Sequence, residues 1–283
     1  MVVLPENWRP IDFHPSNQKK IIEEITHFKI ANPEVHQLHI LVHGPIAAGK
    51  SSFINSIASI FKGRMAESSL VDASGAGHSF TKKFITKKIR DKDGNVLPFV
   101  MSDIMGLEDE EADGARTEDL VMALKGHLKD GYCFNPVASL KKEDPFYNSC
   151  PTLNDKVHCL VSLLPGDKIG LMKPAGVQSV LRKLIEIRKE ASAMGIPQVL
   201  VMTMVDNICP EVRKDLKMIY KSKRIKEKMQ ECTNSLGVPM KRVFPVKNYH
   251  EEIEMDNNVD TLVLSALKNI LHFANDHVQE LDD

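Results

Sequence analysis

Residues 44–52 read GPIAAGKSS and follow directly on the apolar run LHILVH. The stretch fits G-x-x-x-x-G-K-[ST] with Gly44, Gly49, Lys50 and Ser51, a pattern whose chemistry is phosphate binding. Glycines let the backbone wrap a β-phosphate with no side chain in the way. Gly44, Ala47, Ala48, Gly49, Lys50, Ser51 and Ser52 are therefore the expected phosphate-binding residues. Lys50 can reach the β- and γ-oxygens and is the candidate catalytic group, while the Ser51 hydroxyl can ligate Mg²⁺. A helix beginning here would also turn its positive end toward the anion.

Two further motifs fit around that cradle. PFVMSDIMG carries an apolar strand into Asp103, with Gly106 completing D-x-x-G. Asp103 is placed to hold Mg²⁺ through water, and the Gly106 N–H to meet a γ-phosphate. Later, VLVMTMVD supplies T-x-x-D with Thr203 and Asp206, and RVFPVKN ends on Lys247 and Asn248. A carboxylate can accept from guanine N1–H and the 2-amino group together, whereas adenine offers neither donor. Thr203, Asp206, Lys247 and Asn248 are thus the expected guanine-binding residues. The competing role for Asp206 is to cap the helix after Pro210.

The elements that must position these residues show in the hydrophobic periodicity. A helix is expected within 16–31, where Ile21, Ile22, Ile25 and Phe28 share a face before Asn32-Pro33. Strand 38–43 precedes the glycine loop and a helix over 50–61 follows it. Residues 62–82, with SGAGHS, have the composition of a mobile loop. KKFITKKIRD and NVLPFVMSD flank Lys92-Asp93-Gly94 and predict an antiparallel hairpin. An irregular insertion over about 107–155 contains a short helix near 117–129. Strands at 156–164, 197–205 and 241–248 then alternate with helical stretches at 176–193, 210–235 and 259–275. Continuous apolar strands alternating with helices predict an α/β fold: a mostly parallel sheet, one antiparallel edge strand, and helices on both faces. The expected organisation is an N-terminal segment and helix over 1–35, then a P-loop domain over 36–283.

Composition narrows the function further. In 283 residues, 37 Lys and Arg face 38 Asp and Glu, so a net charge of −1 gives no electrostatic case for a nucleic-acid or membrane-surface partner. The five cysteines are scattered and odd in number, which fits reduced thiols. No apolar run is long enough for a membrane span, and MVVLPENWRP lacks the form of a leader, so the expected location is cytoplasmic. His36 and His39 in HQLH have a metal-like look, but on a strand that spacing sends them to opposite faces.

GPIAAGKSS, DIMG, the hairpin between them and TMVD together resemble a Ras-like P-loop GTPase domain. WRPIDF, FINSIASIFKGR, MSDIMGLE and LKGHLKDGYCFNP make the chain similar to the interferon-induced protein 44 and 44-like family. The resemblance runs from Trp8 over nearly the whole chain. It implies GTP/GDP binding with Mg²⁺, an interferon-linked antiviral context, a cytoplasmic setting, and a protein partner or self-association. The alternative is a non-catalytic scaffold on a degenerate GTPase fold, with the insertion touching a partner. Longer family members carry an N-terminal TLDc-type region, so the chain is expected to be a short member or a fragment.

Departures from the general GTPase pattern matter. Thr203 and Met204 stand where N-K-x-D has Asn and Lys. Leu107 stands where many GTPases carry a water-orienting glutamine, so unaided hydrolysis is expected to be slow. Ser79, Thr81 and Thr86 are candidates for the switch threonine on Mg²⁺, with Thr81 favoured by its place before the second strand.

Overall fold

The computed structural model describes residues 3–66, 83–104, 106–107, 115–135, 137–172 and 178–281. Six strands form one sheet: β1 (Leu38–His43), β2 (Ile85–Arg90), β3 (Val96–Asp103), β4 (Cys159–Pro165), β5 (Gln198–Thr203) and β6 (Val243–Pro245). Their order is β2-β3-β1-β4-β5-β6. All neighbours are parallel except β2 and β3, so β2 is the antiparallel edge strand expected from the turn at Gly94. Every residue of β1, β4 and β5 is buried, as strands covered on both faces must be.

The helices are α1 (Pro15–Thr26), α2 (Lys50–Lys62), α3 (Thr117–Leu124), α4 (Gln178–Ala193), α5 (Val205–Ile208), α6 (Pro210–Lys214), α7 (Lys223–Leu236) and α8 (Asn257–Glu280). Asp256 starts α8 by accepting from the N–H groups of Asn258 and Val259, and Ser222 starts α7 by accepting from Ile225 N–H. Helix α1 lies on α8, tied by Gln18 to Asp260 and by Lys268 to Glu24.

Several elements differ from the sequence expectation in extent. The stretch 210–235 is broken at Asp215, whose backbone is extended and whose carboxylate accepts from Lys217 N–H. Strand 241–248 shrinks to three residues: a 3₁₀ turn over Met240–Arg242 takes its start, and past Pro245 one further bond, from Val246 N–H to Met202 O at 2.8 Å, ends the ladder. The helix expected to reach 129 ends at Leu124, and Gly126 follows with φ +81. The described part of the insertion folds around Asp119, which is buried and accepts from Leu140 N–H at 2.7 Å and from the Tyr132 hydroxyl at 3.2 Å.

Candidate functional site

Strand β1 lies between β3 and β4, so the chain leaves its carboxyl end into the crevice where an open α/β sheet binds ligands. The loop that starts there is shaped by its glycines. A Cβ on Gly44 would stand 2.3 Å from Leu163 O, so only glycine lets the loop press against β4. Gly49 has φ +80, and a Cβ there would meet Asn248 Nδ2 at 2.8 Å. Ala47 is also left-handed, with φ 57. Gly49 is the N-cap of α2 and brings no side chain to cap it, leaving the helix's first turn to an anion.

Lys50 folds back over this loop, its Nζ 2.9 Å from Pro45 O and 3.2 Å from Gly44 O. Burial pulls its ammonium down to about 8, against the attraction of Asp103. The Ser51 hydroxyl donates to Asp103 Oδ2 at 2.5 Å. Asp103 is buried at the end of β3, and its Oδ1 has no hydrogen-bond partner among the described residues. Burial raises the Asp103 carboxyl, opposed by Lys50, the Ser51 bond and Lys87.

Gly106 packs flush on the loop: a Cβ there would lie 2.6 Å from Ile46 Cγ1. Leu107 then pairs with the loop as a strand would. Its N–H donates to Gly44 O at 3.1 Å, and its carbonyl accepts from Ile46 N–H at 3.4 Å. Its side chain is buried, so no water-orienting group stands at this position.

On the other flank the structure gives the expected base residues distinct places. Thr203 is buried, with Oγ1 2.9 Å from Ala48 O and 3.2 Å from Leu164 O. Its hydroxyl braces the loop. Asn248 does the same through Nδ2, which donates to Gly49 O at 2.9 Å, while its buried Oδ1 has no partner among the described residues. Met204 is left-handed at φ 56 and turns the chain into α5, with Asp206 in that helix's first turn. The N-cap of the helix after Pro210 is Cys209, so Asp206 does not hold that role. Lys247 is paired with Glu252 at 2.7 Å. Burial pushes the Glu252 carboxyl up, but bonds from Lys247 and the His250 N–H outweigh it and hold it at about 2.

One cavity of about 570 Å³ joins the two flanks, lined by Ala47, Gly49 and Ser52 and, across from them, Met204, Asp206, Lys247 and Asn248. That volume suits a nucleotide-sized ligand. Thr86, one switch candidate, bonds Ser102 on the face of β3 away from Asp103. Thr81 and Ser79 lie outside the described residues. Sequence reasoning missed Glu252 as the partner of Lys247, the left-handed Met204, and Lys87. Strand alternation hints at Lys87, but only the β2–β3 register puts it near Asp103.

No family model matches the chain. Human interferon-induced protein 44 is 33% identical over 265 residues, covering 93% of this chain and 58% of that protein. The mouse protein of that name is 32% identical over 262 residues, covering 92% of this chain and 60% of its own length. Human interferon-induced protein 44-like is 30% identical over 267 residues, 94% of this chain and 58% of that one. The chain is a relative of the interferon-induced protein 44 and 44-like proteins. It spans somewhat over half the length of these curated relatives. Their similarity takes in the P-loop and both flanks of the cavity, since it leaves out less than a tenth of the chain.

Among solved structures, Toc33 from Arabidopsis thaliana in complex with Mg²⁺ and GMPPNP superposes with a TM-score of 0.51 at 14% identity, over 93% of this chain and 94% of that one. Its complex with GDP and Mg²⁺ gives 0.50 at 13%, over 93% of each. The fold is that of a Ras-like GTPase domain. Among the described residues, no helix is long and apolar enough to cross a membrane.

Proposed function

We propose that the chain binds GTP and GDP with Mg²⁺ and acts as a cytoplasmic guanine-nucleotide-binding protein in an interferon-linked antiviral response. The observation that carries this reading is the junction of a shaped P-loop and a carboxylate-bearing pocket in one cavity. Phosphates would take the place of the carbonyls that now hold Lys50. Asp206 would accept from guanine N1–H and its amino group.

Ser51 Oγ and Asp103 are oxygen donors of the kind Mg²⁺ takes, and the unpaired buried Oδ1 of Asp103 supports the fit. Bound there, the ion would neutralise charge on the β- and γ-phosphates. Lys50 and the loop N–H groups would stabilise the charge that grows during transfer to water. Gly106 would approach the γ-phosphate from beside Ile46.

Binding with little unaided hydrolysis is favoured by the buried Leu107 and its backbone pairing with the loop. A protein partner or a second copy would then supply what Leu107 lacks, or read the bound state alone as a scaffold. Titration of the purified chain with labelled GTP, GDP and ATP tests the reading. Preference for guanine nucleotides supports it, and equal ATP binding or none overturns it. Single-turnover hydrolysis should run no faster than about 10⁻² s⁻¹, the scale of a GTPase with its arginine in cis.

A further inference from the structure

Lys87 lies on β2 opposite Met101, two residues before Asp103 on β3. Directly opposed strand residues share a face, and residues two apart on one strand share it too. Lys87, Met101 and Asp103 therefore face the same side of the sheet, the side from which Ser51 at the start of α2 reaches Asp103. Thr86 and Ser102 confirm the register by bonding on the opposite face, where His39 Nε2 also meets Ser102 Oγ at 2.6 Å.

The Lys87 ammonium is buried and has no hydrogen-bond partner among the described residues. Its field reaches Asp103, as does that of Lys50. The fields of two ammonium groups thus act on one carboxylate with no ion pair to it among the described residues, and one positive charge is left over. Lys50 has backbone carbonyls to satisfy it. Lys87 has none. A buried cation without a partner is costly to folding, and an arriving anion removes that cost.

We infer that Lys87 is a phosphate-binding residue that supplies a built-in cation beside Asp103, so that nucleotide polyphosphate binding persists when Mg²⁺ is withdrawn. The inference rests on the nucleotide reading above. Lys87 approaches the phosphates from the edge hairpin, whereas Lys50 comes from the loop itself.

The test compares wild type, Lys87→Met and Lys87→Arg for GDP affinity in Mg²⁺ and in EDTA, with melting temperature of the nucleotide-free proteins alongside. Met keeps the apolar stem and deletes the charge. In EDTA, Lys87→Met should bind GDP more weakly than wild type by about 10- to 100-fold, the range for a hydrogen bond to a charged group. In Mg²⁺ the loss should be smaller, and Lys87→Arg should retain affinity in both. Nucleotide-free Lys87→Met should melt at a higher temperature than wild type, because an unpaired buried charge has gone. Weaker binding from a more stable protein is an outcome that a merely structural lysine does not give. Equal sensitivity of wild type and Lys87→Met to EDTA overturns the inference while leaving nucleotide binding intact. Failure of wild type to bind GDP under either condition overturns the nucleotide reading and this one with it.

Discussion

Two cations at opposite edges of the sheet show how differently the fold treats charge. Arg9 lies beyond β6, with Nη1 2.6 Å from Val243 O and Nη2 2.6 Å from Met240 O. Its guanidinium also stacks within 5.0 Å of the Trp8 ring centroid and 5.4 Å of that of Tyr220. The Arg9 fork takes up one carbonyl of the three-residue strand β6 and one of the turn before it, at the edge where another strand would otherwise add. Lys87, on the opposite edge strand, has a buried head with no such partners among the described residues. A cation whose donors are filled by the protein's own carbonyls holds the fold. One left unfilled within the field of a carboxylate would, on the inference drawn above, be open to an arriving anion.

The largest contrast between the two regions is in acid. Strand β1 carries two buried imidazoles and the residue before β4 a third, and burial lowers His39 to about 4, His43 to about 3 and His158 to about 4 from 6.5. The Arg9 clamp carries none. Each folded-state value lies below the unfolded one, so the unfolded chain binds more protons in acid. The stability these groups contribute is present above pH 6.5 and is lost as pH falls toward 4. At pH 5 each should cost about 2 kcal/mol, about 6 kcal/mol together. Urea unfolding at pH 8 and pH 5 reads the sum. His43→Gln, which keeps a donor for Ser162 Oγ, should remove about a third of it. An unchanged slope in that variant would contradict the assignment.

Arg9→Ala comes next. Hydrogen bonds to charged groups contribute about 1.5–3 kcal/mol, so losing two of them and the ring contacts should lower unfolding free energy by about 3 kcal/mol. Nucleotide affinity should stay within about twofold, a difference of about 0.4 kcal/mol. A large affinity loss in a protein of unchanged stability would reverse the roles given to the two edges.

Lys50→Ala should show the opposite pattern. Nucleotide binding should weaken by about 1.5–3 kcal/mol, with little change in the stability of the free protein. Isothermal titration beside denaturant melts separates the two quantities. Wild-type affinity in the folded variant would exclude the cradle as the site.

The smallest and most specific effect concerns the base. Asp206→Asn replaces one acceptor oxygen with a donor, which opposes guanine N–H and suits the 2-keto group of xanthine. Preference should move from GTP toward XTP, read by competition binding at fixed Mg²⁺. Retention of GTP preference would show that Asp206 does not touch the base.

The fold and the glycine loop after β1 were legible in the residues because their signals are local. LHILVH, the glycine loop and the apolar stripe from Phe53 to Phe61 each lie within about twenty residues, and each is enforced by backbone geometry there. The turn at Gly94 placed β2 beside β3 for the same reason. Element lengths were less legible where a short turn decides them, as Met240–Arg242 does in delaying the start of β6 to Val243.

The base flank was legible only as a set of candidates. Thr203 braces Ala48 from 155 positions away, and Asn248 braces Gly49 from 199. No spacing rule records contacts of that separation. Lys247 was assigned by its neighbours in sequence, but the loop that brings Glu252 to it is set by Tyr249, whose hydroxyl bonds Asp260 at 2.6 Å. By itself, then, the sequence determined that a glycine-shaped loop sits after the first strand, because a tight loop needs glycine wherever its backbone must turn left-handed. Tertiary structure alone decided which donors and acceptors are already taken. That depends on how distant strands register and pack, and it separates Arg9, whose donors are filled, from Lys87, which has no partner among the described residues.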